Sequence, residues 1–183
     1  MGSGALRGLD RALIDLAQRA AHPALDLFGS LVGLLGQAEV TAGLALGLFV
    51  ARVVTRRAEA AVPLAIAIVV LIELALKLGV PQPPPPEELS RSVALLPGVH
   101  AAVPGAFPSG HMARAAFLAA IVRLPAPVAL GFLALMALSR VYLAEHWATD
   151  VLGGLLLGLA VAWLARIRAP RARPPTNVDS RGT

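Results

Sequence analysis

Residues 60–78 read AAVPLAIAIVVLIELALKL, a run whose only charged members, Glu73 and Lys77, come near its end. About 20 consecutive apolar residues make a helix long enough to cross the hydrocarbon core of a bilayer, so this stretch is read as a membrane span. The whole chain points the same way: of 183 residues, 57% are hydrophobic and 15% charged, and the mean hydropathy is +0.73. That composition excludes an ordinary soluble domain. No polar segment between the apolar runs is long enough to bury a core of its own, so residues 1–168 are expected to form a single membrane domain.

Outward from this span, four more candidates lie at 40–54, 111–124, 128–144 and 149–167. The shorter ones must borrow flanking residues, as arginines at helix ends can by snorkelling. The predicted fold is all-α, a polytopic bundle of about five spanning helices over 38–168 behind an interfacial segment at 1–37. Within that segment Leu6, Leu9, Leu13, Ile14 and Leu16 recur at helical spacing opposite Asp10, Arg11 and Asp15, which predicts an amphipathic helix lying along the membrane surface. The same charges argue against a cleavable signal peptide. His22 and Pro23 end this helix. Residues 24–36 form a second apolar piece, either interfacial or re-entrant, or else merged into the next helix. Gly154 and Gly158, four apart, either pack closely against a neighbouring helix or merely fill their own.

The net charge of +5 comes almost wholly from arginines between and after the apolar runs, which are topology signals rather than a nucleic-acid surface. Alternating five spans places Arg52, Arg56, Arg57, Arg123, Arg166, Arg168, Arg171 and Arg173 on one side, the cytoplasmic side by the positive-inside rule. The opposite side receives the N-terminal segment, the loop 79–110 and the turn 144–148. Pro81 and Pro83 to Pro86 predict a stiff extended spacer in that loop. Residues 169–183 are expected to be a disordered cytoplasmic tail. The chain has no cysteine, hence no disulfide, thiolate metal site or thiol nucleophile.

Two polar runs on the loop side carry the chemistry. Phe107-Pro108-Ser109-Gly110-His111 turns directly into an apolar helix, where Ser109 suits an N-cap and Gly110 permits close approach to the backbone. The free amides and positive end of such a helix suit an anion such as phosphate, with His111 beside it, although a plain cap with an interfacial histidine fits the run as well. The second run is Ser139-Arg140, five residues, His146, three residues, Asp150. An aspartate one helical turn from His146 can hold the imidazole in one tautomer and leave the other nitrogen free to attack phosphorus, or it can make a purely structural hydrogen bond. Arg140 offers a planar fork that matches phosphate oxygens. Glu145, next to His146, either faces the site or is solvated, His22 and His100 are read as surface histidines, and Tyr142 and Trp147 as aromatics at the headgroup level.

Together the two runs resemble the second and third signature motifs of the type 2 phosphatidic acid phosphatase superfamily, over roughly residues 60–165. That resemblance implies that His146 is the nucleophile, Asp150 its orienting partner and His111 the acid and then base, while Ser109, Gly110 and Arg140 hold phosphate oxygens. The implied substrate is a membrane lipid phosphate or diphosphate, such as undecaprenyl diphosphate, phosphatidylglycerophosphate or phosphatidic acid. The implied place is a bacterial-type inner membrane, with the site facing the periplasm or exterior. No cofactor or metal is required, and the sequence offers no carboxylate cluster to hold one. The family's first motif is a lysine, six residues, an arginine and a proline. Here Lys77 and Pro85 fit, but Pro84 stands where the arginine should be. Lys77 is then either a phosphate ligand or a snorkelling partner of Glu73. Arg114, one turn below His111, is either a substitute guanidinium or only a contact for lipid headgroups, with Arg91 the weaker candidate for the substitute. The missing arginine also makes a non-catalytic lipid-phosphate binding or transport protein the alternative reading. Neither the particular lipid nor an oligomeric state is fixed by the sequence.

Overall fold

The computed structural model describes residues 4–95 and 105–169. His100 and the tail beyond Ala169 therefore lie outside the described residues. Seven α-helices are found among those described: α1 (Gly4–Ala17), α2 (Pro23–Leu34), α3 (Ala38–Val54), α4 (Ile66–Gly79), α5 (Gly110–Val122), α6 (Ala126–Tyr142) and α7 (Ala148–Ile167). A 3-10 turn over Val62–Ala65 leads into α4, and the two together give an apolar segment of 18 residues; α7 has 20. Both are long enough to cross a membrane. α5 and α6, with 13 and 17 residues, are shorter apolar helices. α2 and α3 reach spanning length only as a pair, bent by 41° at the break between them. The second apolar piece of the sequence is thus a helix distinct from α3 and joined to it at that bend.

α5 sits at the centre, with Met112, Ala113, Ala115, Ala116, Phe117 and Ile121 all buried. Its closest neighbour is α7, because that helix presents glycine at the two positions facing it. A Cβ on Gly158 would lie 2.9 Å from Ala116 Cβ and from Phe117 N, and one on Gly154 3.2 Å from Ala113 N. Ordinary contact begins near 3.5 Å, so these glycines do pack the helices together and are not filler. Large apolar side chains face outward instead, among them Leu71, Leu78, Leu130 and Leu138, while Asp10, Glu73, Arg114, Arg140 and Asp150 are buried. Apolar exterior and polar interior are the arrangement lipid imposes, since charged groups turn to the bundle interior and apolar ones need no shelter.

At one end of the bundle arginines close the C-terminus of α5. Arg52 Nη2 donates to Ile121 O at 2.8 Å, Arg166 Nη2 donates to Ala120 O, and Arg123 pairs with Glu59 at 3.4 Å. Both carbonyls belong to the last turn of the helix, where Ala120 O also accepts from Arg123 N at 3.2 Å, and positive charge is favoured at this negative dipole end. The opposite end carries the N-terminus of α5 and the polar loops.

α1 differs from expectation in one respect. Asp10 does not point to water: with Ile14 it is buried against the bundle, while Leu6, Leu9 and Leu16 are exposed. Its two carboxylate oxygens accept from Thr149 N at 3.0 Å and Thr149 Oγ1 at 2.7 Å, which satisfies a free amide in the first turn of α7. Leu6, Leu9 and Leu16 are left exposed, but the expected division of faces does not hold: Ile14 shares the buried side with Asp10, while Arg11 and Asp15 are exposed and pair with each other at 2.9 Å.

Candidate active site

The N-terminus of α5 is built around close backbone approaches. Ser109 takes the N-cap position, but its hydroxyl makes no cap bond; its backbone N–H donates to Asp150 O at 2.9 Å. Its Oγ is fully buried and has no hydrogen-bond partner. A buried hydroxyl left unpaired is free to serve a ligand. Gly110 has no room for a side chain, because the Glu73 carboxylate packs where a Cβ would be. The group that approaches this glycine is therefore a carboxylate of the protein itself.

The turn from α6 to α7 supplies the second half. α6 ends at Tyr142, and Ala144 reverses the chain with φ 51°, in the left-handed region. His146 follows two residues later, just before α7 rather than within it. Asp150 lies in the first turn of α7, where its Oδ2 accepts from Trp147 N at 3.0 Å. That cap brings His146 Nδ1 to 3.4 Å from the same oxygen. The contact is longer than an aligned hydrogen bond, and Nδ1 is otherwise without a partner. Asp150 is fully buried, so it presents a fixed carboxylate beside one ring nitrogen.

α2 and the turn after it, which the sequence reading did not connect to the site, complete the walls. His111, Arg140, Glu145 and His146 line one cleft of about 780 Å³, together with Ser30, Gly33, Leu34 and Gln37 from α2 and the turn after it. Gly33 leaves the space that the Arg140 guanidinium fills, and a Cβ on Gly36 would lie 2.9 Å from His111 Cβ. Gly29, Gly33 and Gly36 were the available signal, small residues at near-helical spacing beside an apolar face. Gln82 was also missed. From within the proline-rich stretch its Nε2 donates to Asp150 Oδ1 at 2.7 Å, while Pro83 O accepts from Trp147 Nε1 at 2.8 Å. The stiff spacer thus holds an amide against the aspartate.

The cations divide into two groups. Arg140 is buried and lines the cleft; its Nη2 donates to Gly29 O at 3.1 Å, its Nε to Ser139 Oγ at 3.2 Å, and its Nη1 pairs with Glu145. Of the two readings of Glu145, the structure takes the one in which it faces the site: a buried guanidinium draws the nearest carboxylate inward. Lys77 and Arg114 are gathered instead by Glu73, at 3.2 Å and 2.5 Å, and Arg114 Nε also donates to Gly36 O at 3.0 Å. Neither lines the cleft, so the Lys77–Glu73 pair is formed and Arg114 has a structural partner in place of either expected role. Arg91 is equally engaged, making two bonds of 2.8 Å to Asp26. No cluster of potential metal ligands occurs among the described residues.

Fold and site together narrow the class to helical membrane proteins that gather two histidines, an arginine and a buried aspartate at one end of the bundle. Within that class, residues 58–174 match the family model described as the PAP2 superfamily, and the chain belongs to this superfamily of membrane lipid phosphatases. The structure is similar to that of the first transmembrane PAP2-type phosphatidylglycerolphosphate phosphatase from Bacillus subtilis, with a TM-score of 0.75 and 24% identity over 94% of this chain and 91% of that one. It is also similar to LpxE of Aquifex aeolicus, with a TM-score of 0.67 and 26% identity over 87% and 95% of the two chains. Comparison with curated proteins gave no match.

Proposed function

We propose that this protein removes the terminal phosphate of a membrane lipid phosphate or diphosphate through a phosphohistidine on His146. The observation that supports this most directly is the meeting of His111, Arg140 and His146 in one cleft, with the buried Asp150 carboxylate 3.4 Å from His146 Nδ1. A proton on Nδ1 facing Asp150 leaves the Nε2 lone pair free for phosphorus. As the N–P bond forms and the P–O bond to the lipid breaks, His111 gives its proton to the leaving oxygen. His111 then takes a proton from water as that water attacks phosphorus. The N–P bond breaks, and inorganic phosphate leaves with both histidines restored.

Arg140, which lines the cleft, and Ser109, whose buried hydroxyl has no partner, are assigned the phosphoryl oxygens as charge develops. Lys77 and Arg114, already engaged by Glu73, act from behind as positive potential. Candidate substrates are undecaprenyl diphosphate, phosphatidylglycerophosphate and phosphatidic acid. The arginine-rich end is assigned to the cytoplasm and the cleft to the periplasm or exterior of a bacterial-type inner membrane.

Release of inorganic phosphate from these three lipids by purified protein separates hydrolysis from mere binding. His146→Ala is expected to abolish that release, and a wild-type rate in this variant refutes the mechanism. Labelling of Glu88→Cys but not Ala58→Cys by an impermeant reagent in intact cells is the expected orientation result; the reverse pattern overturns the assignment.

A further inference from the structure

The arginine-rich end of the bundle has no part in the reaction just described, and it carries a groove of its own. Between α4 and α7 a depression of about 370 Å³ is lined by Ile68 and Ile72 from one helix and Val161 and Leu164 from the other, with Glu59 and Arg168 at the end where α7 stops. On the α4 side its lining runs from Val62 to Ile72, about 15 Å along the helix axis. An apolar depression of that length suits part of one hydrocarbon chain. Charge collects at its polar end. Arg52 Nη1 donates to Glu59 O, Arg123 Nη2 lies 3.4 Å from the Glu59 carboxylate, and Arg166 and the Arg123 amide both donate to Ala120 O. With Arg168, four guanidiniums meet one carboxylate, and among the described residues no other acid pairs with them. Arg123 and Arg166 are each engaged through Nη2 alone, and Arg168 is exposed, so N–H donors remain for an anion.

We infer that this groove is a second lipid site, separate from the cleft, which holds a phospholipid of net negative charge with its phosphate at the Glu59–Arg168 end and one chain between α4 and α7. The two parts do different work. In a bilayer the groove gains packing but no hydrophobic drive over the surrounding lipid, so it fixes where the chain lies and not which lipid is held. Selection falls to the arginines. Their net positive charge attracts a headgroup with one negative charge, whereas a zwitterionic headgroup balances its phosphate with its own ammonium. The site is independent of the cleft and of the reaction proposed for it.

The full chain in detergent micelles is titrated with phosphatidylglycerol or phosphatidylcholine, and bound lipid is counted by native mass spectrometry with thermal unfolding followed alongside. Wild type is expected to retain phosphatidylglycerol about fivefold or more tightly than phosphatidylcholine; equal retention overturns the proposal. Arg168→Gln is expected to weaken phosphatidylglycerol about fivefold, the share of one arginine near an anionic headgroup, and to leave phosphatidylcholine unchanged. Arg57 is exposed at the same end but does not line the groove, so Arg57→Gln should keep the wild-type affinity. An equal loss in the two variants shows diffuse attraction to a basic surface and overturns the site. Ala61 is exposed and lines the groove, so Ala61→Phe fills it without touching a charge and should weaken both lipids. Undiminished phosphatidylglycerol binding there shows that no chain lies in the groove, which also overturns the site. Arg140→Ala separates binding in the cleft: it should leave the phosphatidylglycerol of the groove in place, and complete loss of bound lipid in that variant refutes a second site.

Discussion

Replacing Gly33 with alanine should disturb Arg140 and little else. The new Cβ would lie 2.8 Å from Arg140 Cζ and 2.9 Å from Nη1. That is about 0.7 Å inside the roughly 3.5 Å at which nonbonded carbons begin to attract. Arg140 is 2% exposed and held by Gly29, Ser139 and Glu145, so its guanidinium has to give way as a unit. A misplacement of about 1 Å costs a positioned group on the order of 100-fold in rate, so Gly33→Ala is expected to lower kcat by about 30- to 100-fold. Gly29 supplies the control, since a Cβ there meets only the Leu143 side chain at 3.4 to 3.6 Å, an ordinary contact. Gly29→Ala should keep kcat within about twofold, as surface-like changes without a clash do. Both glycines lie within α2, and alanine is the better helix former by about 1 kcal/mol, so a weaker helix cannot explain a loss at Gly33. The assay is phosphate release in detergent, with thermal unfolding of each variant measured alongside. A wild-type kcat for Gly33→Ala, or an equal loss for Gly29→Ala, refutes this account of the cleft wall.

Arg114→Ala should lower stability by about 3–5 kcal/mol, because it leaves the buried Glu73 carboxylate with Lys77 as its one ion-pair partner among the described residues; an unshifted unfolding curve in detergent would contradict that burial. Ala144→Gly should stabilise the protein by about 1 kcal/mol by relieving the left-handed backbone before His146, with turnover retained, whereas a drop in melting temperature would show the turn is not strained. Gln82→Leu removes the amide held to Asp150 and is expected to slow turnover about tenfold, which steady-state kinetics on the preferred lipid will check. Activity should survive EDTA, since guanidinium and hydroxyl groups neutralise the phosphate in the proposed scheme; loss of activity restored specifically by magnesium would count against it.

The apolar runs and the two polar motifs were legible because both are local in the chain. A bilayer demands continuous apolar stretches of about 20 residues, and a helix N-terminus announces itself by the residues flanking it, so the helices at 40–54, 60–78 and 149–167 were placed to within a few residues. His111, Arg140 and His146 could be marked as chemical groups for the same reason, and their spacing carried the family resemblance. The partners of those groups were not local. Glu145 on Arg140, Gln82 on Asp150, Asp10 on Thr149, and the seats that Gly33 and Gly36 leave for Arg140 and His111 all join different helices or loops. The same holds for Arg114, which spacing alone put near the phosphate and packing gave to Glu73. Hydropathy fixes which segments enter the membrane but not how the helices rotate and approach one another. A buried charge takes whichever opposite charge that approach brings within reach, and only the tertiary structure decides which one it is.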